Sequence, residues 1–170
     1  MIITNSSIKD ISEIFKLYDL ATDYQRNKFP ENEWPKFDLE FIKTEIAEDR
    51  QFKIMLNGQV ACIWAITYND AEIWEEKEND DAIYLHRIAT NPECRGNNFV
   101  QVIADWAQKF AKDKDRKYVR MDTCGNNEVL IEYYKNCGFD FLGMKKLKNS
   151  SGLQKHYQNA DVCYFEREVE

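Results

Sequence analysis

Three short segments of this sequence carry residue types whose spacing could support chemistry. They are the strand-like run 85–92, the turn 95–98 that leads into a predicted helix, and the run 127–139. The first segment contains His86, and histidine titrates nearest to neutral pH, which makes His86 a candidate base. The second precedes a helix N-terminus, where free backbone N–H groups and the helix dipole favour an anion. The third contains Tyr134, whose phenol can donate a hydrogen bond or a proton.

Hydrophobic periodicity predicts the elements that position these segments, in the order β-α-α-β-β-β-α-β-α-β-β. The predicted strands cover residues 2–4, 51–56, 60–68, 83–90, 118–123, 139–144 and 161–167. The predicted helices cover residues 8–21, 39–46, 99–111 and 127–137, and the predicted loops are 27–36, 69–81 and 146–159. Asn57-Gly58 predicts a hairpin turn. The β-α-β units of the second half imply locally parallel strands with right-handed crossovers.

Composition and charge restrict the class of protein. The chain has 170 residues, the size of one domain, and its 14% aromatic content excludes a disordered chain. Its formal net charge of -7 disfavours a nucleic-acid partner. We therefore expect a single globular domain over residues 1–170 that binds no nucleic acid.

The cysteines and the N-terminus bear on compartment and metal binding. Five cysteines without C-x-x-C spacing, together with two histidines, predict reduced thiols and no metal site. No apolar run reaches the roughly 20 residues that span a bilayer, and the N-terminus lacks a secretory signal pattern. We therefore expect a cytoplasmic protein without membrane association.

The three segments together resemble the GNAT superfamily of acyl-CoA-dependent N-acetyltransferases. The most specific part is Asn127-x6-Tyr134-x3-Gly138-Phe139, and the spacing match extends over residues 83–144. The resemblance implies an α/β fold of the GNAT type, with a mixed central sheet flanked by helices and splayed parallel strands at the cofactor site. It also implies that acetyl-CoA donates its acetyl group directly to a primary amine of a small molecule or a peptide, without a covalent enzyme intermediate.

The resemblance also implies which residues would hold acetyl-CoA. Contacts to the acetyl carbonyl and the pantetheine amide would come from the backbones of Ile88, Ala89 and Thr90. The pyrophosphate would lie on the loop and helix start formed by Arg95, Gly96, Asn97, Asn98, Phe99 and Val100. Asn127 would hold the pantetheine arm or merely cap its helix.

Two positions of this loop depart from the family pattern Arg/Gln-x-x-Gly-x-Gly/Ala, which reads here Arg95-x-x-Asn98-x-Val100. Asparagine tolerates a left-handed backbone better than most residues, so Asn98 is a mild departure. Val100 adds bulk where the helix should approach the cofactor closely. Weaker or altered coenzyme A binding is therefore one expectation.

The resemblance suggests roles for two side chains in proton transfer. Tyr134 lies where family members place the tyrosine that protonates the departing thiolate, and a core tyrosine is the alternative. His86 would take the proton of the amine, as a histidine in a similar strand does in the arylalkylamine-acetylating branch, and a core histidine is the alternative. Asp81 and Glu78 are further candidate bases that would act through water. Arg87 would point to the opposite strand face and have a structural role.

Aromatic side chains could form a pocket for the acceptor amine. The predicted lining residues are Phe29, Trp34, Trp64, Tyr68 and Trp74, and the alternative is that they belong to the core. Trp74 lies within the acidic run 69–81. That run is either a solvated loop or a negative lip that attracts a cationic amine, which Trp74 would hold by a cation–π contact.

Two other functions stay open from the sequence alone. One is an acyl-CoA-binding module without catalysis, which the departures at Asn98 and Val100 suggest. The other is an interaction domain that has kept only the fold, because fold alone does not fix function. The apolar residues of the last predicted strand would suit the edge of a homodimer, and they are Val162, Tyr164 and Phe165.

Overall fold

The computed structural model describes residues 1–28, 33–79, 81–147, 153, 155–158 and 160–170. Its strands are β1 (Ile2–Asn5), β2 (Gln51–Leu56), β3 (Gln59–Thr67), β4 (Ala82–Thr90), β5 (Tyr118–Cys124), β6 (Asp140–Lys146) and β7 (Asp161–Glu168). Its α-helices are α1 (Ile11–Lys28), α2 (Leu39–Ala47), α3 (Ala71–Trp74), α4 (Phe99–Asp113) and α5 (Glu128–Asn136). The predicted order of strands and helices is confirmed, with α3 as an addition. Within the described part of the chain, no helix combines the length and apolarity needed to cross a membrane.

The chain divides into two compact units. The first unit comprises Met1–Ile66 and His86–Phe99, and the second comprises Thr67–Leu85 and Val100–Glu170. Each has a cluster of buried apolar residues of its own. Strand β4 therefore contributes its first half to the second unit and its second half to the first.

In the first unit, β2 pairs antiparallel with both β1 and β3. Asn57 and Gly58 join β2 to β3 with φ angles of 51° and 82°, the left-handed values that a two-residue hairpin turn requires. Residues of α1 and α2 pack against Ile63 of β3 and Ala89 of β4. Residues 61–66 are fully buried, so the prediction that both faces of this strand are covered is confirmed.

In the second unit, the first half of β4 pairs in parallel with β5, from Ala82–Tyr118 to Leu85–Met121. Strand β7 pairs antiparallel with β5 and also with β6. The parallel β4–β5 pair confirms the prediction made from the β-α-β pattern. The hydrogen-bonding order of the seven strands is β1-β2-β3-β4-β5-β7-β6, which is a mixed sheet.

Strand β7 is an inner strand, so the prediction that it forms the edge of a homodimer is wrong. All three apolar residues invoked for that edge are buried, namely Val162, Tyr164 and Phe165. The edge strand is β6, whose register shifts between Phe141 and Gly143 and which ends in Lys145 and Lys146. Bulges and lysines on an edge strand disfavour pairing with another chain.

The acidic run 69–81 is not the continuous loop that its composition predicts. Ile73 and Trp74 of α3 are buried and belong to the same apolar cluster as Tyr84 and Tyr164. A 3₁₀ segment, Glu75–Asn79, follows α3. Burial of these two apolar side chains offsets the tendency of the surrounding carboxylates to remain in solvent, so the segment packs as a short helix.

Candidate functional site

The end of β4 and the turn that follows are fixed by the buried residue Asn91. Its backbone N–H donates to the carbonyl of Ala61 (2.9 Å), and its side-chain Nδ2 donates to the carbonyl of Val60 (3.1 Å). Its Oδ1 accepts from the N–H of Glu93 (3.1 Å). The Asn91-Pro92 pair is a turn signal in the sequence, but the contacts of the Asn91 side chain depend on strand β3 and leave no such signal. These bonds hold the predicted cofactor strand against β3.

The backbone of β4 is irregular at the start of the predicted cofactor strand. Arg87 has a φ of 51°, a left-handed value that costs a non-glycine residue about 1–3 kcal/mol. The simple alternation predicted for His86, Ile88 and Thr90 is therefore interrupted at Arg87. Beyond that point Ala89 is buried in the core, whereas Ile88 and Thr90 are partly exposed.

The loop before α4 has a backbone that suits an anion. Gly96 and Asn98 have φ angles of 86° and 49°, and left-handed residues in such loops turn backbone N–H groups into a concave binding surface. Residues 95–98 are exposed, and a Cβ added to Gly96 would meet nothing within 4 Å. The first turn of α4 carries no acidic residue that would compete with an anion. Asn98 adopts the conformation expected of it in place of glycine, and the half-buried Val100 follows, so these residues fit a pyrophosphate.

Side chains of the same loop make contacts within the first unit. The guanidinium carbon of Arg95 lies 5.0 Å from the ring centroid of Tyr24. Asn97 donates from Nδ2 to the carbonyl of Cys94 (2.8 Å), which closes the turn. Phe99 is buried at the first position of α4. The side chains of Asn97 and Phe99 therefore support the loop, and a cofactor contact from either would come from its backbone.

His86 has an electrostatic environment that the sequence did not predict. Burial lowers the pKa of its imidazole to about 3, and the positive charges of Arg87 and Arg50 contribute to the shift. The imidazole is therefore neutral at physiological pH. His86 is therefore not a base that titrates near the histidine reference pKa of about 6.5.

Helix α5 carries Tyr134 and is capped by Asn127. The side-chain Oδ1 of Asn127 accepts from the N–H of Leu130 (3.1 Å), so the capping alternative for Asn127 is confirmed. The partly buried ring of Tyr134 packs edge-to-face against Phe165, with 5.0 Å between the centroids. Burial raises the pKa of Tyr134, so its hydroxyl keeps its proton at neutral pH and remains a donor.

Two of the aromatic residues predicted to line an acceptor pocket contribute to the packing of the first unit. Trp64 is fully buried and stacks on Phe52 with 5.6 Å between the centroids. Trp34 is partly buried and packs edge-to-face on Tyr18 at 6.0 Å. Phe29 lies outside the described residues. The pocket prediction is wrong for Trp64, because a side chain without exposed surface offers none to an acceptor.

Trp74 has a cation–π partner, but that partner belongs to the protein. The guanidinium carbon of Arg120 lies 4.7 Å from the ring centroid of Trp74, and both side chains are buried. The prediction that Trp74 holds a cationic amine is therefore wrong, because a buried ring already paired with Arg120 offers no surface to one. Tyr68 is half-buried, with the guanidinium carbon of Arg116 at 5.4 Å from its ring centroid.

The two carboxylates predicted as further bases have polar partners. Glu78 Oε2 accepts from the hydroxyl of Tyr84 (2.7 Å) and from the N–H of Asp70 (2.9 Å). Asp81 Oδ2 lies 3.5 Å from Lys117 Nζ. Both carboxylates are therefore engaged in contacts with neighbouring residues of the second unit.

Two carboxyl groups that the sequence analysis did not single out lie close together in the second unit. An oxygen of Asp70 and one of Asp122 are within 4.8 Å of each other, and Tyr157 donates to Asp122 Oδ2 (2.7 Å). Burial, with repulsion from Asp122, raises the pKa of Asp70 to about 8, and burial raises the pKa of Asp122 to about 6. The two residues come from separate elements, so no local pattern in the sequence marks the pair.

We expect Asp70→Asn to stabilise the protein at pH 8.5 and to have little effect at pH 4. When the pKa of a carboxyl group is higher in the folded than in the unfolded protein, the folded protein loses stability as the pH rises. The loss occurs between the unfolded-state pKa of about 3.9 and the folded-state pKa. Because Asp70 is partly exposed, we expect a gain of about 1 kcal/mol, or roughly 2–4 °C in Tm. Melting curves at both pH values measure the difference, with Glu72→Gln in the adjacent helix α3 as an exposed control. An equal shift at both pH values would contradict the assignment.

The predicted site residues divide between the two units. The first unit holds the stretch 86–99, in which the strand end, the turn and the left-handed loop are connected through Asn91 and Asn97. The second unit holds Val100, together with Asn127 and Tyr134 on α5.

The amino-acid sequence matches one family model and two curated relatives. Residues 14–139 match the family model described as acetyltransferase (GNAT) family. The chain is 24% identical over 139 residues to the uncharacterized N-acetyltransferase MJ1207 of Methanocaldococcus jannaschii. It is 24% identical over 74 residues to the uncharacterized N-acetyltransferase YesJ of Bacillus subtilis. These alignments cover 81% and 44% of this chain but only 60% and 41% of the two relatives.

Solved structures show the same fold. A GNAT-family acetyltransferase from Listeria monocytogenes has a TM-score of 0.77 and 21% identity, and the match covers 99% of this chain and 94% of that one. Likeness at this identity concerns the fold. The predicted α/β fold of the GNAT type, with a mixed sheet and flanking helices, is therefore confirmed.

Proposed function

Because the chain belongs to the acetyltransferase (GNAT) family, we propose that it transfers the acetyl group of acetyl-CoA to a primary amine. The observation that carries the proposal is the exposed loop 95–98, which is left-handed at Gly96 and Asn98. It directly precedes a helix of 15 residues whose first turn holds no acid. This combination is what a pyrophosphate requires of a helix N-terminus.

In this proposal the donor is bound through the backbone of residues 88–90 and of the loop and helix start at residues 95–100. Acetyl-CoA supplies the acetyl thioester when bound. The N–H groups of the loop and of the first turn of α4 hold the pyrophosphate, and the backbone of residues 88–90 orients the acetyl carbonyl and the pantetheine amide. Because Asn91 and Asn97 already fix both backbone segments, little conformational entropy is lost on binding.

Two side chains have proton-related roles in the proposal. Tyr134 donates to the negative charge that develops on the departing sulfur, and its raised pKa keeps it protonated for that purpose. His86, as a neutral imidazole, accepts a hydrogen bond from the incoming amine, and the proton that the amine loses goes to solvent water. Because the pKa of His86 is about 3, we expect no change in the acetylation rate from titration of His86 near pH 6.5. The pH profile between pH 6 and pH 7 should therefore be the same in the wild type and in His86→Gln.

The proposed acceptor is the primary amine of a small molecule or a peptide. Glu72 and Glu76 of the acidic run are exposed, which favours an amine that arrives as a cation. That preference should weaken in 1 M salt, where the Debye length falls to about 3 Å. A panel of cationic, neutral and acidic amines at low and high salt tests this preference.

We expect acetyl-CoA to bind the free protein and to raise its Tm. At a free concentration 100 times Kd the stabilisation would be about 2.7 kcal/mol. Asn98→Gly should keep or improve the affinity, because glycine adopts a φ of 49° without strain. Asn98→Val should weaken it by about tenfold or more, because a β-branched residue is strained at that φ. Calorimetric titration with acetyl-CoA measures all three proteins.

The control for backbone strain is Asn57→Val, because Asn57 has a nearly identical φ of 51° in a hairpin outside the loop. It should lower stability without changing the affinity for acetyl-CoA. Absence of acetyl-CoA binding by the wild type would contradict the proposal and favour an interaction domain. Binding without acetylation of any amine in the panel would favour an acyl-CoA-binding module.

A further inference from the structure

Arg87 connects β4 to both long helices of the first unit. Its Nη2 donates to both carboxylate oxygens of Glu45 in α2, and its Nε donates to the hydroxyl of Tyr18 in α1 (3.3 Å). Tyr18 in turn donates to Gln51 Oε1 at the start of β2 (3.2 Å). Glu45 and Gln51 have no exposed surface, and Arg50 is a second cation 3.5 Å from Glu45. The guanidinium is therefore held from several directions.

Aromatic rings surround the same guanidinium. Its central carbon lies 5.8, 5.3 and 5.1 Å from the ring centroids of Tyr18, Phe37 and Phe41. These contacts desolvate the ion pair between Arg87 and Glu45. A desolvated pair resists separation, because moving either side chain leaves the other charge buried without its partner.

The side-chain contacts of Arg87 are favourable, but its backbone conformation is not, since a φ of 51° is unfavourable for any residue with a Cβ. Such a conformation persists only where surrounding contacts over-determine it. Residue 88, the first of the proposed donor-binding strand, follows directly. A return of Arg87 to an extended φ would rotate the next peptide and change the directions in which the N–H and C=O groups of residues 88–90 point.

We propose that Arg87 is a positioning residue, whose ion pair with Glu45 holds the left-handed backbone at 87 and thereby aims the backbone groups of residues 88–90 at acetyl-CoA. Arg87 itself does not touch the donor. The identity of the ligand rests on the proposed function, whereas the coupling between side chain and backbone rests on the contacts of the first unit alone.

The experiment compares two double variants. The alanine pair combines Arg87→Ala with Glu45→Gln, and the glycine pair combines Arg87→Gly with Glu45→Gln. Both variants lack the ion pair and the buried carboxylate. They differ only in the backbone freedom of residue 87. The alanine pair should raise the Kd for acetyl-CoA by about tenfold or more, and its KM for acetyl-CoA should rise more than kcat falls. The glycine pair should stay within about threefold of wild type, because glycine adopts positive φ without a Cβ penalty.

A control separates positioning from general stability. Lys53 of β2 and Asp10 form another partly buried ion pair in the first unit (2.6 Å), which involves no residue of β4. Lys53→Gln with Asp10→Asn should lower Tm and leave the Kd for acetyl-CoA unchanged. An alanine pair that binds like the wild type, or a glycine pair that binds as weakly as the alanine pair, would overturn the inference.

Amide hydrogen exchange in the free proteins gives a readout that does not depend on the donor. Exchange at residues 88–90 should be faster in the alanine pair than in the glycine pair, and slowest in the wild type. If the wild type failed to bind acetyl-CoA, the proposed function would fail, and the order of exchange rates would still decide the role of Arg87. Equal exchange rates in the two double variants would refute that role.

Discussion

Tyr134→Phe should lower turnover by about 10²–10⁴-fold while the affinity for acetyl-CoA barely changes. The change removes only the hydroxyl, and the phenylalanine ring can keep the edge-to-face contact with Phe165 at 5.0 Å. Helix α5 is capped by Asn127, so its start does not depend on the hydroxyl of Tyr134. Steady-state kcat and calorimetric Kd, measured on the same preparation, separate the two effects.

Tyr133→Phe is the matched control for this prediction. Tyr133 is the adjacent residue on α5, is more exposed, and lies 5.8 Å from Tyr134 between ring centroids. Its loss of a hydroxyl should leave turnover near the wild-type value. Near wild-type turnover in Tyr134→Phe would reduce Tyr134 to a packing residue, which is the alternative that the sequence left open. Equal losses in both variants would point to a disturbance of α5 instead of proton donation.

Elements with a strong local pattern could be predicted from the sequence. The Asn57-Gly58 turn, the cap at Asn127 and the helix that begins at Phe99 all have short-range signals, and the structure confirms each of them. Helix α3 was missed because its two buried residues, Ile73 and Trp74, lie among carboxylates. Their burial depends on strands remote in sequence, which composition does not reveal.

The same distinction applies to the candidate site. The loop at Gly96 and Asn98 could be predicted, because its chemistry lies in backbone conformation and residue type. The neutral state of His86 depends mainly on its burial, and the pairing of Trp74 with Arg120 depends on a charge brought near by the tertiary structure. A pattern in one strand does not contain those neighbours. The assignment of β7 as an edge failed for the same reason, since strand order is a property of the whole sheet.

Glu166→Ala should lower the free energy of unfolding by about 3–5 kcal/mol, because it removes the carboxylate that contacts two nitrogen atoms of the buried guanidinium of Arg120. The side chain of Arg120 has no exposed surface, and its Nε and Nη2 both lie 2.7 Å from Glu166 Oε2. Its Nη1 also donates to the carbonyl of Lys77 (2.7 Å), and its guanidinium carbon lies 4.7 Å from the ring centroid of Trp74. Urea denaturation of both proteins measures the loss.

The comparison with an exposed ion pair decides whether burial is the cause. Glu132 and Lys135 are 2.8 Å apart with side chains about half exposed, so Glu132→Ala should cost less than about 1 kcal/mol. Arg120→Leu with Glu166→Leu should be more stable than Glu166→Ala, because the double change also removes the buried charge of Arg120. If Glu166→Ala were no less stable than Glu132→Ala, the charge of Arg120 would be compensated without Glu166.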